Sequence, residues 1–273
     1  MKRKFCIHTV LLITGLLLLV ACNRDKINNP DPLAGLTKIA EGYATGAATK
    51  VELYSAGITL YSGFTQFKIR LLDSLTGNKV ENARIQLAPQ MDMGTMRHAC
   101  PYENPSSETA SNTLYPCSVT FIMSSMGGNW TLGINVSNLV NNKQGLLTIP
   151  LTVNEPVKSR IKSFTAAHNG QKYFVALIQP SSPKVGINDF ELAVYKKASM
   201  MSFPADSSLR ILNTPEMPTM GHGSPNNVDP THTSLGHYKG KVNFTMTGLW
   251  KLNLDLYSGT EVADTTQYLE IEF

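Results

Sequence analysis

Tyr115-Pro116-Cys117-Ser118-Val119-Thr120-Phe121-Ile122-Met123 and Tyr238-Lys239-Gly240-Lys241-Val242-Asn243-Phe244-Thr245-Met246 follow one pattern, Tyr-x-x-x-Val-x-Phe-x-Met. Val, Phe and Met recur at every second position. That period places them on one face of an extended chain, the mark of a half-buried β-strand. The same alternation spreads outward from both stretches. Phe67, Ile69 and Leu71 alternate with Lys68 and Arg70, and Phe190, Leu192 and Val194 alternate with Glu191 and Ala193. Leu252, Leu254 and Leu256 face away from Asn253 and Asp255. Turn clusters such as Thr76-Gly77-Asn78 and Pro180-Ser181-Ser182-Pro183 separate the strands. No long amphipathic helix is evident. The expected class is all-β, built as antiparallel β-sandwiches.

The two stretches belong to a longer repeat. Gly63 and Phe67 match Gly186 and Phe190 at an offset of 123, which the Tyr-to-Met strands share. Met93 matches Met217 at 124, and Trp130 matches Trp250 at 120. An offset this steady indicates a tandem duplication. Its period is a whole domain, so two sandwiches are expected, over residues 38–153 and 154–273. The boundary falls near Asn154-Glu155-Pro156.

Residues 1–21 read as a lipoprotein signal peptide. Lys2, Arg3 and Lys4 precede an apolar run from Val10 to Val20, which ends in Leu19-Val20-Ala21-Cys22. The run is too short for a spanning helix, which needs about 20 apolar residues. The ending resembles the bacterial lipoprotein signal. That resemblance implies that Cys22 carries lipid and tethers the chain to a membrane of the cell envelope, the outer one by preference. Residues 22–37 then serve as a tether, rich in Asn, Asp and Pro. Removing three basic residues and no acidic ones lowers the formal net charge from +4 to +1. No basic block remains for nucleic acid.

A second repeated stretch carries the chemistry. Met217-Pro218-Thr219-Met220-Gly221-His222-Gly223-Ser224-Pro225 parallels Met93-Gly94-Thr95-Met96-Arg97-His98-Ala99-Cys100-Pro101. Both read Met-x-Thr-Met-x-His-x-(Ser/Cys)-Pro. Thioethers are soft donors and imidazoles borderline ones, a pairing suited to copper. Zinc does not recruit thioethers, and calcium would need more oxygens than Asp229 supplies. In the second copy His232 and His237 follow closely, so Met217, Met220, His222, His232 and His237 form the expected site. Met91, Met93, Met96 and His98 form a histidine-poorer set in the first copy. The alternative is that the methionines pack the base of a loop. Cys100 and Cys117 are expected to form a disulfide in an exported chain, with Cys100 as a thiolate ligand the other possibility.

The second copy resembles the YtkA-like and FixH-like periplasmic domains. The resemblance rests on Met217-Pro218-Thr219-Met220-Gly221-His222-Gly223, Gly236-His237-Tyr238-Lys239-Gly240, Phe244-Thr245-Met246 and Gly248-Leu249-Trp250. The first copy departs from it, with Leu114 in place of His237, Cys117 in place of Gly240 and Cys100 in place of Ser224. The resemblance implies an immunoglobulin-like, or CopC-like, sandwich and a link with copper handling or respiratory oxidase assembly. No Gly-x-Ser-x-Gly elbow, His-Glu-x-x-His motif, phosphate loop or carboxylate pair points to an enzyme. The expected function is non-catalytic copper binding or delivery. The alternative is a metal-free interaction module of an envelope complex, an efflux system or oxidase assembly, with an envelope protein as partner.

Overall fold

A computed structural model describes residues 31–273, so the expected signal peptide and Cys22 lie outside the described residues. The first half runs through β1 (Thr37–Ala44), β2 (Thr49–Ser55), β3 (Leu60–Tyr61), β4 (Gly63–Asp73), β5 (Ala83–Asp92) and β6 (Arg97–Ala99). It continues through β7 (Tyr102–Glu103), β8 (Tyr115–Phe121), β9 (Asn129–Asn138), β10 (Lys143–Leu151) and β11 (Val153–Asn154). The second half holds β12 (Ile161–Thr165), β13 (Lys172–Gln179), β14 (Gly186–Lys196), β15 (Leu209–Met217) and β16 (His222–Gly223). It closes with β17 (Val228–Ser234), β18 (His237–Phe244), β19 (Leu249–Ser258) and β20 (Glu261–Glu272).

These strands form two antiparallel β-sandwiches of matching topology. The first pairs a β1-β2-β4-β8-β7 sheet with a β10-β9-β5-β6 sheet. The second pairs β12-β13-β14-β18-β17 with β20-β19-β15-β16, the same order strand for strand. The short parallel pair of β11 with β3 lies outside this scheme. Each sandwich has its own core, one around Phe67, Phe121 and Trp130, the other around Phe190, Phe244 and Trp250. The alternating residues of β4, β8, β14 and β18 point into these cores, as a pleated strand requires. The indole N–H of Trp130 donates to the carbonyl of Met123, and that of Trp250 donates to the carbonyl of Met246, both at 3.0 Å. Each Trp thus pins the end of the preceding strand to its own sheet.

Strands β8, β13 and β14 break the alternation. Cys117 to Phe121, Tyr173 to Leu177 and Leu192 to Tyr195 are buried without interruption. A strand that faces water on one side alternates, whereas one covered on both sides does not. The second cover is the other sandwich. Ile161, Phe174, Ala176 and Phe203 of the second half pack with Ala99, Phe64 and Ile122 of the first. Hydrogen bonds cross the same junction. Thr120 donates its hydroxyl to Tyr195 at 3.3 Å, and the Ala99 amide donates to the Met200 carbonyl at 2.9 Å.

The outer face of the first sandwich differs where β2 pairs with β4. There Glu52 is buried and paired across the strands with Arg70. Arg70 lies 2.6 Å from Glu52, while Tyr54 donates its hydroxyl to Glu52 at 2.9 Å and Lys38 reaches it at 3.3 Å. Burial pushes the Glu52 carboxyl up, but these partners outweigh it and hold it below its ordinary value.

The expected Cys100–Cys117 disulfide is corrected by the register. Both cysteines are buried free thiols. β7 pairs with β8 so that Tyr102 meets Val119, and the Thr120 amide donates to the Pro101 carbonyl. Cys100 therefore lies toward Phe121, three or more residues along from Cys117, or roughly 10 Å at about 3.3 Å per residue. A disulfide needs Cα atoms within about 7 Å.

Replacing a buried aromatic at the junction should loosen docking without touching either core. Phe174→Ala is expected to cost about 3 kcal/mol. In a denaturant titration the single unfolding transition of the parent should split into two, because each sandwich keeps its own core.

Candidate functional site

Each sandwich carries the same hairpin, β5–β6 in the first and β15–β16 in the second. Register sets Met91 opposite His98 in one and Met217 opposite His222 in the other. Both imidazoles are then fixed alike. His98 places Nδ1 at 2.8 Å from the Ala99 carbonyl, and His222 places Nδ1 at 2.9 Å from the Gly223 carbonyl. A carbonyl accepts only, so Nδ1 carries the proton and Nε2 keeps its lone pair. Each ring also stands edge-on to the Trp of its sandwich, Trp130 at 5.4 Å and Trp250 at 5.9 Å.

The copies part in burial. His98 is 4% exposed, and its Nε2 is buried with no hydrogen-bond partner. His222 is half-buried, at the rim of its sandwich. The methionines differ too. The hairpin register makes Met91, rather than Met93, the counterpart of Met217, which corrects the pairing expected from the motif alone. The first hairpin runs one pair further, Asp92 with Arg97, before its loop, and Met93 lies beside Met91. Their methyl groups converge with that of Met123 above Gly127. A Cβ on Gly127 would meet Met123 Cε at 2.7 Å, Met91 Cε at 3.6 Å and Met93 Cε at 3.8 Å. A side chain there would have to push the Met123 methyl aside. In the second copy Met217 alone fills the matching space, 2.8 Å from where a Cβ on Gly248 would sit. Met96 and Met220 lie exposed in their loops, at 51% and 62%.

The five donors expected of the second copy are not brought together. β18 runs from His237 to Phe244, and Phe244 packs on Trp250 at 5.4 Å, as His222 does from the other side. His222 and His237 thus sit at opposite ends of a strand, roughly 20 Å apart at about 3.3 Å per residue. His232 lies exposed against the Tyr238 ring at 5.4 Å. Among the described residues no three His, Cys, Asp or Glu side chains are placed to hold a metal ion. The cysteines add no thiolate donor. Burial pushes the Cys117 thiol up to about 12 and the Cys100 thiol well above its ordinary value.

His237 does something else. It faces the first sandwich, edge-on to Phe64 at 5.9 Å. Its Nε2 lies 2.7 Å from Glu103 of that sandwich, and its Nδ1 lies 2.8 Å from Glu191 of its own. Tyr195 donates its hydroxyl to the same Glu103 oxygen at 3.3 Å. Lys239 lies 3.4 Å from Glu191. With a carboxylate at each nitrogen, the imidazolium is the form that satisfies both. The hydrogen bond to Glu103 raises the His237 pKa most; burial opposes it, Glu191 adds to it, and the net shift is upward from 6.5. Burial pushes Glu103 up, but the hydrogen bond and charge of His237 outweigh it and hold the carboxyl below 4.5. Sequence reading missed Glu103, Glu191 and Tyr195. The available signal was the unbroken apolar run Tyr173-Phe174-Val175-Ala176-Leu177, which announces a strand covered on both faces.

The paired hairpins and the Trp-pinned sandwich prompt comparison with known proteins. Residues 167–255 match the YtkA-like family. That span covers β13 to β19 and includes His222, His232 and His237. No curated protein matches the chain. Among solved structures, domains 5–6 of the S-layer protein SbsC align at 15% identity over 87% of this chain and 96% of that one, with a TM-score of 0.29. An endo-fucoidan hydrolase of glycoside hydrolase family 107 aligns at 12% identity with a TM-score of 0.22, over 87% of this chain and 38% of that one. Overlaps this low transfer neither fold detail nor activity to the YtkA-like span.

The bridge through His237 makes docking depend on pH. The folded imidazole has a raised pKa, so its stabilisation is full below about 6.5 and is lost as pH rises through the raised value. The lowered Glu103 contributes above about 4.5 and is lost as pH falls through its folded value. Docking should therefore be strongest between these limits. The melting temperature of the parent should exceed that of His237→Gln by a few degrees near pH 6, at about 2–4 °C per kcal/mol. The gap should close as pH is raised, and thermal melts across pH 5 to 9 measure it.

Proposed function

We propose that this protein is a lipid-anchored metal-binding protein of the cell envelope that holds Cu(I) through its Met/His hairpins, for storage or delivery rather than catalysis. One observation carries the reading. In both copies the imidazole is locked by its own neighbouring carbonyl and a Trp edge, and in the first copy His98 shares a cavity lining with the thioethers Met93, Met96 and Met123. Thioethers with imidazole favour Cu(I) over harder ions. Raised thiol pKa values leave the two cysteines outside the donor set.

The first-copy hairpin is the better site, because its histidine is buried and more thioethers surround it. The second-copy hairpin offers His222 with Met220 alone, since Met217 fills its core and His232 and His237 are elsewhere. The anchor rests on Cys22 and the leader before it. The YtkA-like match of residues 167–255 supports an extracytoplasmic module, and delivery to an envelope partner follows from the exposed hairpin loops.

The test is an anaerobic titration of the mature protein with Cu(I) against a chromophoric chelator. The parent should compete, His98→Ala should lose at least tenfold in affinity, and His222→Ala should lose less, on the scale of about 10–100-fold per perturbed metal-site group. A parent no tighter than an unrelated sandwich would replace this reading with the metal-free interaction module.

A further inference from the structure

His98, whose Nε2 is buried without a hydrogen-bond partner, is among the residues that line a cavity belonging to both sandwiches. The cavity measures about 270 Å³, and its lining includes Met93, Met96, His98 and Met123 from the first half. Met200 and Phe203 close it from the second. Met200 lies on the loop after β14, far from either Met/His motif, and its carbonyl accepts the Ala99 amide at 2.9 Å. The residue next to His98 is thereby tied to the residue bearing the additional thioether.

We propose that Cu(I) binds between the two sandwiches, held by His98 Nε2 and by thioethers of both, with Met200 the ligand from the second. This rests on the copper reading given above and extends it, because the metal becomes a cross-link rather than a passenger on one hairpin. Leaving a buried acceptor without a partner costs about 1–3 kcal/mol. A ligand that accepts this lone pair removes that cost. The cavity suits a soft, weakly hydrated cation. Its remaining walls include Ile122, Phe174 and Phe203, and its sulfur donors are uncharged. Lys172 and Lys197 also line it. Their charge opposes any cation and a divalent one most, which leaves the monovalent ion as the better fit. The second copy has no equivalent site, because no third sandwich covers His222.

The experiment uses the mature protein with Cu(I) alone as the probe, titrated anaerobically against the chelator, with hydrogen exchange of the Ala99 amide followed in parallel. Met200→Leu and Met123→Leu preserve volume and remove one sulfur each. Each should weaken Cu(I) about tenfold, and Cu(I) should slow Ala99 exchange in the parent but not in Met200→Leu. Melting curves of the metal-free variants show whether docking survives the substitutions. If Met200→Leu binds as the parent does while His98→Ala does not, the metal sits in the first sandwich alone. The bridging site is then overturned and the copper reading stands. If the parent itself fails to compete, the copper reading falls and the bridging site with it.

Discussion

The packing of one sheet's outer face against another's governs the rest of this molecule. Outer faces of antiparallel sandwiches normally meet water, and their strands then alternate polar with apolar residues. Here Phe174 and Ala176 carry the second sandwich's outer face into contact with Phe64, Ala99 and Ile122. Polar groups at that contact need partners across it, because water no longer serves, and most find one, though His98 Nε2 and Ser118 Oγ are left without. Thr120 finds Tyr195, Glu103 finds Tyr195 and His237, and the Ala99 amide finds Met200. The outcome is an apolar patch flanked by a carboxylate–imidazole–carboxylate bridge on one side and a methionine-lined cavity on the other.

The cavity follows from the same contact. His98 and His222 are built alike, down to the carbonyl that holds Nδ1 and the Trp edge beneath the ring. What separates them is what lies on top. The loop of Met200 and Phe203 covers the first hairpin, burying His98, whereas the second hairpin stays at a rim. Burial leaves the His98 nitrogen without the hydrogen-bond partner that water would give it at a rim.

The sandwich class was legible because period-two alternation is a local property. Phe67, Phe121, Phe190 and Phe244 announce their inward face without knowledge of their partners. The tandem topology followed from the spacing of such residues. The site was less legible, because closeness in sequence says little about which face or which end of a strand a residue occupies. His237 follows His222 by few residues, yet the hairpin, β17 and the turn before β18 send it to the other end of the sheet and out of the opposite face. Cys100 and Cys117 looked like a pair because one loop joins them, and only the register shows that they slide past each other. Met123 read as core from its alternation, which is correct as far as it goes; its methyl also meets the hairpin methionines. Met200 could not be found at all without the fold, since it joins His98 through a contact between sandwiches.

The ionic cluster around Glu52 sets how far this architecture can grow. Glu52 and Arg70 pair across β2 and β4 at the position that Ala176 and Ala193 occupy across β13 and β14. Two alanines make a flat apolar seat, but a carboxylate with a guanidinium over it would have to be stripped of solvent before another sheet could settle there. The two outer faces already meet each other within the chain, and the part of the first face around Glu52 is charged. A duplicated domain whose copies both kept the alanine seat could pass the contact from molecule to molecule as an open filament. The charged substitute makes a further sheet costly to seat at that position.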